Sequence, residues 1–219
     1  MNIFDKFFDK IKGAYFAFLT LIAIGLGIII ALLIYLPVDP SYSILSNYIS
    51  DLGAGPIGSR TTFGVGMIIG AISLIFLILY ISMYLKKKEE KSQLIWGFQN
   101  TGLIAAVGLI LIGIFPLDRA DDFAYSTHFL ATVIYFSFTA ISNNYLGYIE
   151  YKNSEFSKVM AIVTFLSGIF SAIFVFGFVI QEFELIPPQV FVYLSEWTFF
   201  VFISLWLITH GIYFWKKRE

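Results

Sequence analysis

The chain has 219 residues, of which 58% are hydrophobic and only 13% are charged. Soluble domains are roughly 45–50% apolar and about a quarter charged, so this composition excludes a soluble globule and predicts an integral membrane protein. The absence of cysteine excludes disulfides, thiolate zinc sites and cysteine nucleophiles. The formal net charge is −1 and no basic, aromatic surface pattern occurs, which argues against nucleic-acid binding.

Six long apolar runs follow a short start, residues 1–12, in which Phe and Ile alternate with charged residues. A helix needs about 20 apolar residues to cross a bilayer core, and each run has about that length. The pattern predicts an all-α, polytopic membrane bundle in a single domain over residues 1–219, with residues 1–12 lying at the membrane interface. The predicted spans are 13–36, 61–84, 94–115, 123–146, 159–180 and 189–215.

Glycines recur in the second and third runs at spacings typical of tight helix packing. Gly66 and Gly70 form a small-xxx-small pair, and three more glycines punctuate the third run: Gly102, Gly108 and Gly113. Helices in lipid associate through close backbone approach, so these residues predict a tightly packed bundle.

Basic residues are distributed unequally between the connections. Twelve of the fourteen lie on the side shared by the two ends of the chain, and only Arg60 and Arg119 lie opposite. The positive-inside rule therefore predicts a plasma-membrane protein with both termini in the cytoplasm. The outer side is acidic, with Asp39, Asp51, Asp118, Asp121, Asp122, Glu182, Glu184 and Glu196.

The longest polar connection, residues 45–56, follows the first span. Three of its apolar residues fall on one helical face: Leu45, Ile49 and Leu52. We expect a short amphipathic helix on the membrane surface that ends at Gly53 and presents Asn47, Ser50 and Asp51 to the protein. The alternative is a plain connector of ordinary turn residues.

Four ionisable side chains are predicted at similar depth in the outer half of the membrane: Asp51, Asp118, His128 and Glu196. A charge inside the hydrocarbon costs about 2.5–3.5 kcal/mol, so buried ionisable groups need partners or a function. The four groups are therefore candidates for one outward-facing polar pocket.

A polar stripe follows one face of the fourth predicted helix: His128, Thr132, Tyr135, Thr139 and Ser142. A helix turned to lipid would not carry this stripe, so the face points into the bundle. It makes hydrogen bonds between helices, or it lines a water-accessible cavity that narrows toward Asn143 and Asn144.

His210 lies on the inner side, near the end of the sixth predicted helix. Structural hydrogen bonding is its favoured role. A proton path between Glu196 and His210 is conceivable, but apolar side chains fill the face between them: Phe200, Ile203 and Leu207.

The residue types also limit the chemistry. Two histidines on opposite sides exclude a three-histidine zinc cage, and the lack of a mid-helix lysine excludes a retinal Schiff base. No cofactor is required, although His128 with the carboxylates would suit a divalent metal such as zinc or manganese. A carboxylate that orients His128 as a general base, with Ser46 or Ser50 as nucleophile, would suit hydrolysis or transfer.

Several of these residues resemble the hallmarks of a known family, the prokaryotic membrane proteins described as domain of unknown function 998. The first hallmark follows the first span: Ser46-Asn47-Tyr48-Ile49-Ser50-Asp51-Leu52-Gly53. The second is Phe115-Pro116 followed by His128, and Glu196 resembles a late acidic position, where this chain has Trp197 and the family often has Arg. The resemblance implies a bacterial or archaeal multi-pass protein without a settled activity. A looser similarity, in the six-helix layout alone, extends to the damage-regulated autophagy modulator and Sfk-like membrane proteins.

Three functional hypotheses follow. The leading one is a pocket that binds a lipid or other amphiphile, favouring a cationic head group because the outer half is acidic. The second is a lipid hydrolase or transferase, possible with metal assistance, and the third is a small transporter. Candidate catalytic residues are Asp51, Asp118, His128 and Glu196, and candidate ligand-binding residues are Asn47, Ser50, Thr132 and Tyr135.

Overall fold

The computed structural model describes residues 7–8, 10–88, 91–183, 185 and 190–217. These residues contain six long α-helices, one short 3₁₀ helix at Ile49–Gly53, and no β-strand. The helices are α1 (Gly13–Tyr35), α2 (Ile57–Lys87), α3 (Ser92–Ile114), α4 (Asp122–Lys152), α5 (Lys158–Glu182) and α6 (Val190–Lys216). Much of the predicted interfacial segment, and also Glu184 and Gln189, lie outside the described residues.

Each predicted span corresponds to one long helix. Within the described chain, five of the six helices have the length and apolarity needed to cross a membrane. The other helix, α4, carries the polar stripe, which lowers its mean hydropathy. Its 31 residues still give it a length of about 46 Å, ample for a bilayer core.

α4 differs from its predicted bounds at the end rather than at the start. The Asp121 side chain caps its first turn and accepts the backbone N–H groups of Phe123 and Ala124 at 3.1 and 3.0 Å. The helix continues to Lys152, six residues beyond the predicted end. This extension brings Glu150 into the helical bundle, where its side chain is buried.

The helices pack in chain order, and α6 also packs against α1, so that they close a ring. Short connections make consecutive helices antiparallel. The start of α1 and the end of α6 therefore lie together, with the Lys12 ammonium 6.0 Å from the centre of the Trp215 ring. We call this the terminal end of the bundle, and the opposite end, which carries the 3₁₀ helix, the plug end.

Glycines permit the closest helix contacts, as the sequence predicts. A Cβ atom at Gly66 would lie 2.8 Å from the Cα atom of Gly27, so α1 and α2 cross backbone to backbone. A Cβ atom at Gly108 would lie 2.8 Å from the backbone nitrogen of Tyr135. α3 therefore approaches α4 closely beside the polar stripe.

Ionic contacts join three elements at the terminal end. The Glu155 carboxylate, in the connection between α4 and α5, lies 2.8 Å from Lys88 Nζ and 2.6 Å from Lys217 Nζ. The Tyr84 hydroxyl also donates to it, at 2.7 Å. Hydrogen bonds from Lys217, Lys88 and Tyr84 lower the pKa of Glu155 to about 2, so the network stays ionised at neutral pH.

Candidate functional site

The polar connection after α1 folds into the bundle instead of lying across its surface. We call residues 47–53 the plug. Ile49 and Leu52 are 6% and 0% exposed, whereas Leu45 is 52% exposed. Turns and a five-residue 3₁₀ helix take the place of the expected amphipathic helix. Burial of Ile49 and Leu52 against the long helices stabilises this arrangement more than a regular helix with all three apolar residues on one face would.

α5 and α6 hold the plug through three hydrogen bonds. The Ile49 backbone N–H donates to the Glu196 carboxylate at 2.6 Å. The Trp197 indole N–H donates to the Asn47 carbonyl at 3.1 Å. Gln181 Nε2 donates to the Tyr48 hydroxyl at 2.6 Å. Side chains far apart in sequence thus satisfy plug groups that would otherwise be buried without partners.

Asp51 and Asn47 satisfy groups within the plug. The Asp51 carboxylate accepts the Tyr48 backbone N–H at 2.8 Å and the Asn47 amide at 3.3 Å. Burial raises the pKa of the Asp51 carboxyl above its usual value, while these two hydrogen bonds oppose the rise. The immediate role of both residues is to shape the 3₁₀ turn.

A small cavity lies directly beneath the plug. It has a volume of about 60 Å³ and mostly apolar walls contributed by α1, α2, α3, α4 and α6. Four of the predicted site residues also line it: Ser50, Thr132, Tyr135 and Glu196. The Thr132 hydroxyl is buried there without a hydrogen-bond partner, so the cavity wall contains an unsatisfied polar group.

Only Glu196 of the four predicted acid–base groups lines this cavity. Asp51 lies in the plug, and His128 and Asp118 lie elsewhere at the plug end. His128 Nδ1 lies 2.7 Å from the Phe115 carbonyl oxygen, and its Nε2 is buried without a partner. The Asp118 side chain is 34% exposed and lies 4.0 Å from Arg60. Among the residues that the structure describes, no three His, Asp or Glu side chains are grouped to hold a metal ion.

A second cavity of about 20 Å³ continues along α4 toward the terminal end. Tyr135 lines both cavities, and Thr139, Ser142, Asn143 and Trp206 line the second. The Ser142 hydroxyl donates to the Phe98 carbonyl at 3.1 Å, so the stripe also makes hydrogen bonds between helices. The stripe therefore makes a hydrogen bond between helices and also lines two small cavities, whereas its expected access to water from outside stays a prediction.

A buried acid–imidazole pair lies beyond the second cavity. His210 Nε2 is 2.6 Å from Glu150 Oε1, and the Thr164 hydroxyl donates to Glu150 Oε2 at 2.6 Å. His210 Nδ1 is 2.9 Å from the Trp206 carbonyl oxygen. The contacts agree with structural hydrogen bonding for His210, but the sequence reasoning missed Glu150.

The sequence contains a pattern that identifies Glu150. It follows Asn143 by seven residues, which places both on one face of a continuous helix. The predicted span ended at residue 146 because the polar segment after it resembles a connection. Extending the stripe by two turns would have placed Glu150 inside the bundle.

Comparison with known proteins now identifies the family. Residues 17–213 match the family model described as protein of unknown function (DUF998). The chain belongs to the DUF998 family. No curated protein and no solved structure matches it. The looser similarity to the autophagy-modulator and Sfk-like proteins stays a prediction.

The residues that resemble DUF998 hallmarks have definite places in the structure. Ser46–Gly53 contains the plug, and Glu196 holds it through Ile49. The Phe115 carbonyl and the His128 ring, which form the second hallmark, are joined by a hydrogen bond at the plug end. The first hallmark and Glu196 therefore meet in the plug, and the second hallmark joins the end of α3 to the start of α4 at the same end of the bundle.

Proposed function

We propose that this DUF998 protein binds an amphiphile with a cationic head group in the cavity beneath the plug. We also propose that it lies in the plasma membrane with both termini in the cytoplasm, since the cation-rich connections lie at the terminal end. The observation that carries the binding proposal is the Glu196 carboxyl group, which lines an otherwise mostly apolar cavity.

Glu196 has no cationic partner among the residues that the structure describes. Its side chain lies on α6, the residue is 6% exposed, and its carboxylate accepts the Ile49 backbone N–H. None of the ion pairs among the described residues includes it. A buried carboxylate is costly unless a proton or a cation compensates it, and a ligand ammonium group would supply that cation.

The cavity walls suit the carbon atoms next to such a head group. Phe63, Met67, Leu109 and Phe199 are among the apolar lining residues. Each buried methylene would contribute about 0.8 kcal/mol. A volume of about 60 Å³ admits the head group and its first carbons only. The tail of a longer amphiphile would therefore leave between helices or require the plug to move.

Thermal unfolding of the purified chain in a nonionic detergent tests this proposal, with dodecylamine as the probe and dodecanol as its uncharged match. Dodecylamine should raise Tm by about 5–10 °C at a concentration 100-fold above Kd, and dodecanol should not. Glu196→Gln keeps the shape and the hydrogen-bond acceptor but removes the charge, so this variant should lose the shift.

Asp118→Asn is the matched control, because it removes an acidic group at the plug end that does not line the cavity. This control should keep the full dodecylamine shift. Equal shifts with dodecanol and dodecylamine, or an unchanged shift in Glu196→Gln, would contradict the proposed recognition of charge.

The hydrolase and transporter hypotheses have less support from the geometry. The general-base mechanism predicted from the sequence uses a carboxylate to orient His128, whereas its Nδ1 is bonded to the Phe115 carbonyl and its Nε2 is buried without a partner. Transport of an amphiphile needs a passage along α4, whereas the second cavity there has about 20 Å³. An amphiphile requires a passage wider than this cavity.

A further inference from the structure

Two buried carboxyl groups lie toward opposite ends of the bundle, and the polar face of α4 connects them. Glu196 lines the cavity beneath the plug, and Glu150 pairs with His210 nearer the terminal end. The apolar residues expected to separate them belong to α6. The connection follows α4 and α5 instead, although Phe200 lines the first cavity and Ile203 lines both cavities.

The inner pair already shares a proton. The His210 Nδ1 atom faces the Trp206 carbonyl oxygen and must donate to it. His210 Nε2 and Glu150 Oε1 lie 2.6 Å apart, a distance that requires a proton between two atoms that would otherwise both be acceptors. The pair is fully buried, so a proton that it exchanges must pass through the groups packed around it.

Hydroxyl groups extend from this pair toward the second cavity. The Thr164 hydroxyl donates to Glu150, and Ser167 lies one turn further along α5. The Asn143 amide donates to the Ser167 hydroxyl and also lines the second cavity. The amide orients that hydroxyl, which lies 3.4 Å from the Thr164 backbone carbonyl and must turn toward the Thr164 hydroxyl to pass on a proton.

Tyr135 joins the second cavity to the first. It lines both, and volumes of about 20 and 60 Å³ hold about one and a few water molecules. Each cavity also has a buried polar atom without a protein partner, Thr132 Oγ1 in the first and Trp206 Nε1 in the second. Water held by these atoms would complete the connection from Glu196 to Ser167.

A separate hydrogen-bonded network that reaches the surface lies about one turn beyond the Glu150–His210 pair, at the terminal end. Tyr213 lies about one turn beyond His210 on α6, and its hydroxyl is 2.9 Å from the Tyr84 hydroxyl. Tyr84 in turn donates to the partly exposed Glu155.

We propose that this protein conducts protons between Glu196 and the Glu150–His210 pair along the polar face of α4. Each carrier accepts one proton and passes on another, so only O–H and N–H bonds form and break, and one proton leaves for each that enters.

The groups that influence Glu196 electrostatically are Asp51, Tyr42, Tyr48 and Tyr135. Those that contact Glu150 are His210 and Thr164. Conduction requires the first cavity to hold water rather than a bound head group, because its volume of about 60 Å³ does not admit both.

The full chain in liposomes that enclose a pH-sensitive dye tests this proposal. A potassium diffusion potential, negative inside, should drive protons inward faster than in protein-free liposomes. Asn143→Leu should abolish the excess rate, since the leucine fills the second cavity and removes the bond to Ser167. Asn144→Leu is the matched control, because the neighbouring Asn144 is exposed and lines a surface groove with Lys91.

Thr164→Val decides the test if Asn143→Leu does not fold, since it removes the hydroxyl beside Glu150 with little change of volume. Thr164→Val should also lose the excess rate. A wild-type rate equal to that of protein-free liposomes would overturn the proposal. Folded Asn143→Leu or Thr164→Val protein that conducts at the wild-type rate would overturn it as well.

Discussion

Asp51 shows how a polar residue in a hallmark motif can act on its own backbone. A single oxygen, Oδ2, accepts the Tyr48 backbone N–H and the Asn47 amide, which closes the turn from which the 3₁₀ helix begins. Ser50, one residue earlier, lines the cavity. Within one motif, Asp51 therefore shapes the plug, and its neighbour Ser50 faces the cavity.

Substitution of Asp51 should separate its hydrogen bonds from its charge. Asp51→Ala should lower stability by about 1–2 kcal/mol, because the turn loses its cap. Asp51→Asn keeps an oxygen acceptor for both donors, so at neutral pH it should be at least as stable as the wild type. Thermal unfolding of the three proteins measures the difference.

The pH dependence of that difference follows from the raised pKa of Asp51. Folding favours the protonated acid, so its contribution is fully present below the unfolded value of 3.8 and is lost as pH rises through the folded value. The Tm advantage of Asp51→Asn over the wild type should therefore grow as pH rises from below 3.8. An advantage that shrinks over this range would contradict the assignment.

The plug is an element whose position depends on other elements. Five residues of 3₁₀ helix have little stability alone, and the contacts that fix them come from Glu196, Trp197 and Gln181. The Trp197 indole N–H reaches the backbone of the plug. This chain therefore holds the plug with a neutral donor beside Glu196.

Hydrogen exchange should reveal how far Glu196 holds the plug. Glu196→Ala removes the acceptor of the Ile49 N–H, and loss of a hydrogen bond to a charged group costs about 1.5–3 kcal/mol. The plug amides should then exchange about tenfold faster or more, as measured by mass spectrometry. Glu196→Gln retains an acceptor oxygen and should change exchange much less, and peptides from α3 should not change. Unchanged exchange in Glu196→Ala would show that packing alone holds the plug.

At the scale of the whole molecule, the ring of helices gives the protein two different ends. The plug closes one end through contacts with α5 and α6. Glu155 joins Lys88, Lys217 and Tyr84 at the other. In the proposed orientation, the plug end therefore faces the outside of the cell and the cation-rich terminal end faces the cytoplasm.

The proposed orientation predicts which exposed positions face the outside of the cell. The chain has no cysteine, so single cysteines report accessibility directly. In intact cells, a membrane-impermeant maleimide should label Ala54→Cys at the plug end and not Ser92→Cys at the terminal end, although both residues are exposed. Permeabilised cells should show labelling of both. The reverse pattern in intact cells would invert the topology.

Local properties of the sequence were sufficient to predict the helices. The length of each apolar run matches a bilayer, and glycine spacing indicates close packing, so six helices and tight crossings follow from residues near one another in the chain. The predicted end of α4 was wrong by six residues because Glu150 is polar, and its burial is compensated by His210 and Thr164, which lie on other helices.

Which predicted site residues meet was decided by the tertiary structure. Ser50, Thr132, Tyr135 and Glu196 line one cavity, while Asp118, at a similar predicted depth, lies beside Arg60 at the surface. Hydropathy and charge report how deep a residue lies, because those properties depend on the solvent around each segment. The lateral position of a side chain depends on how the helices rotate and pack against one another, and no single segment contains that information.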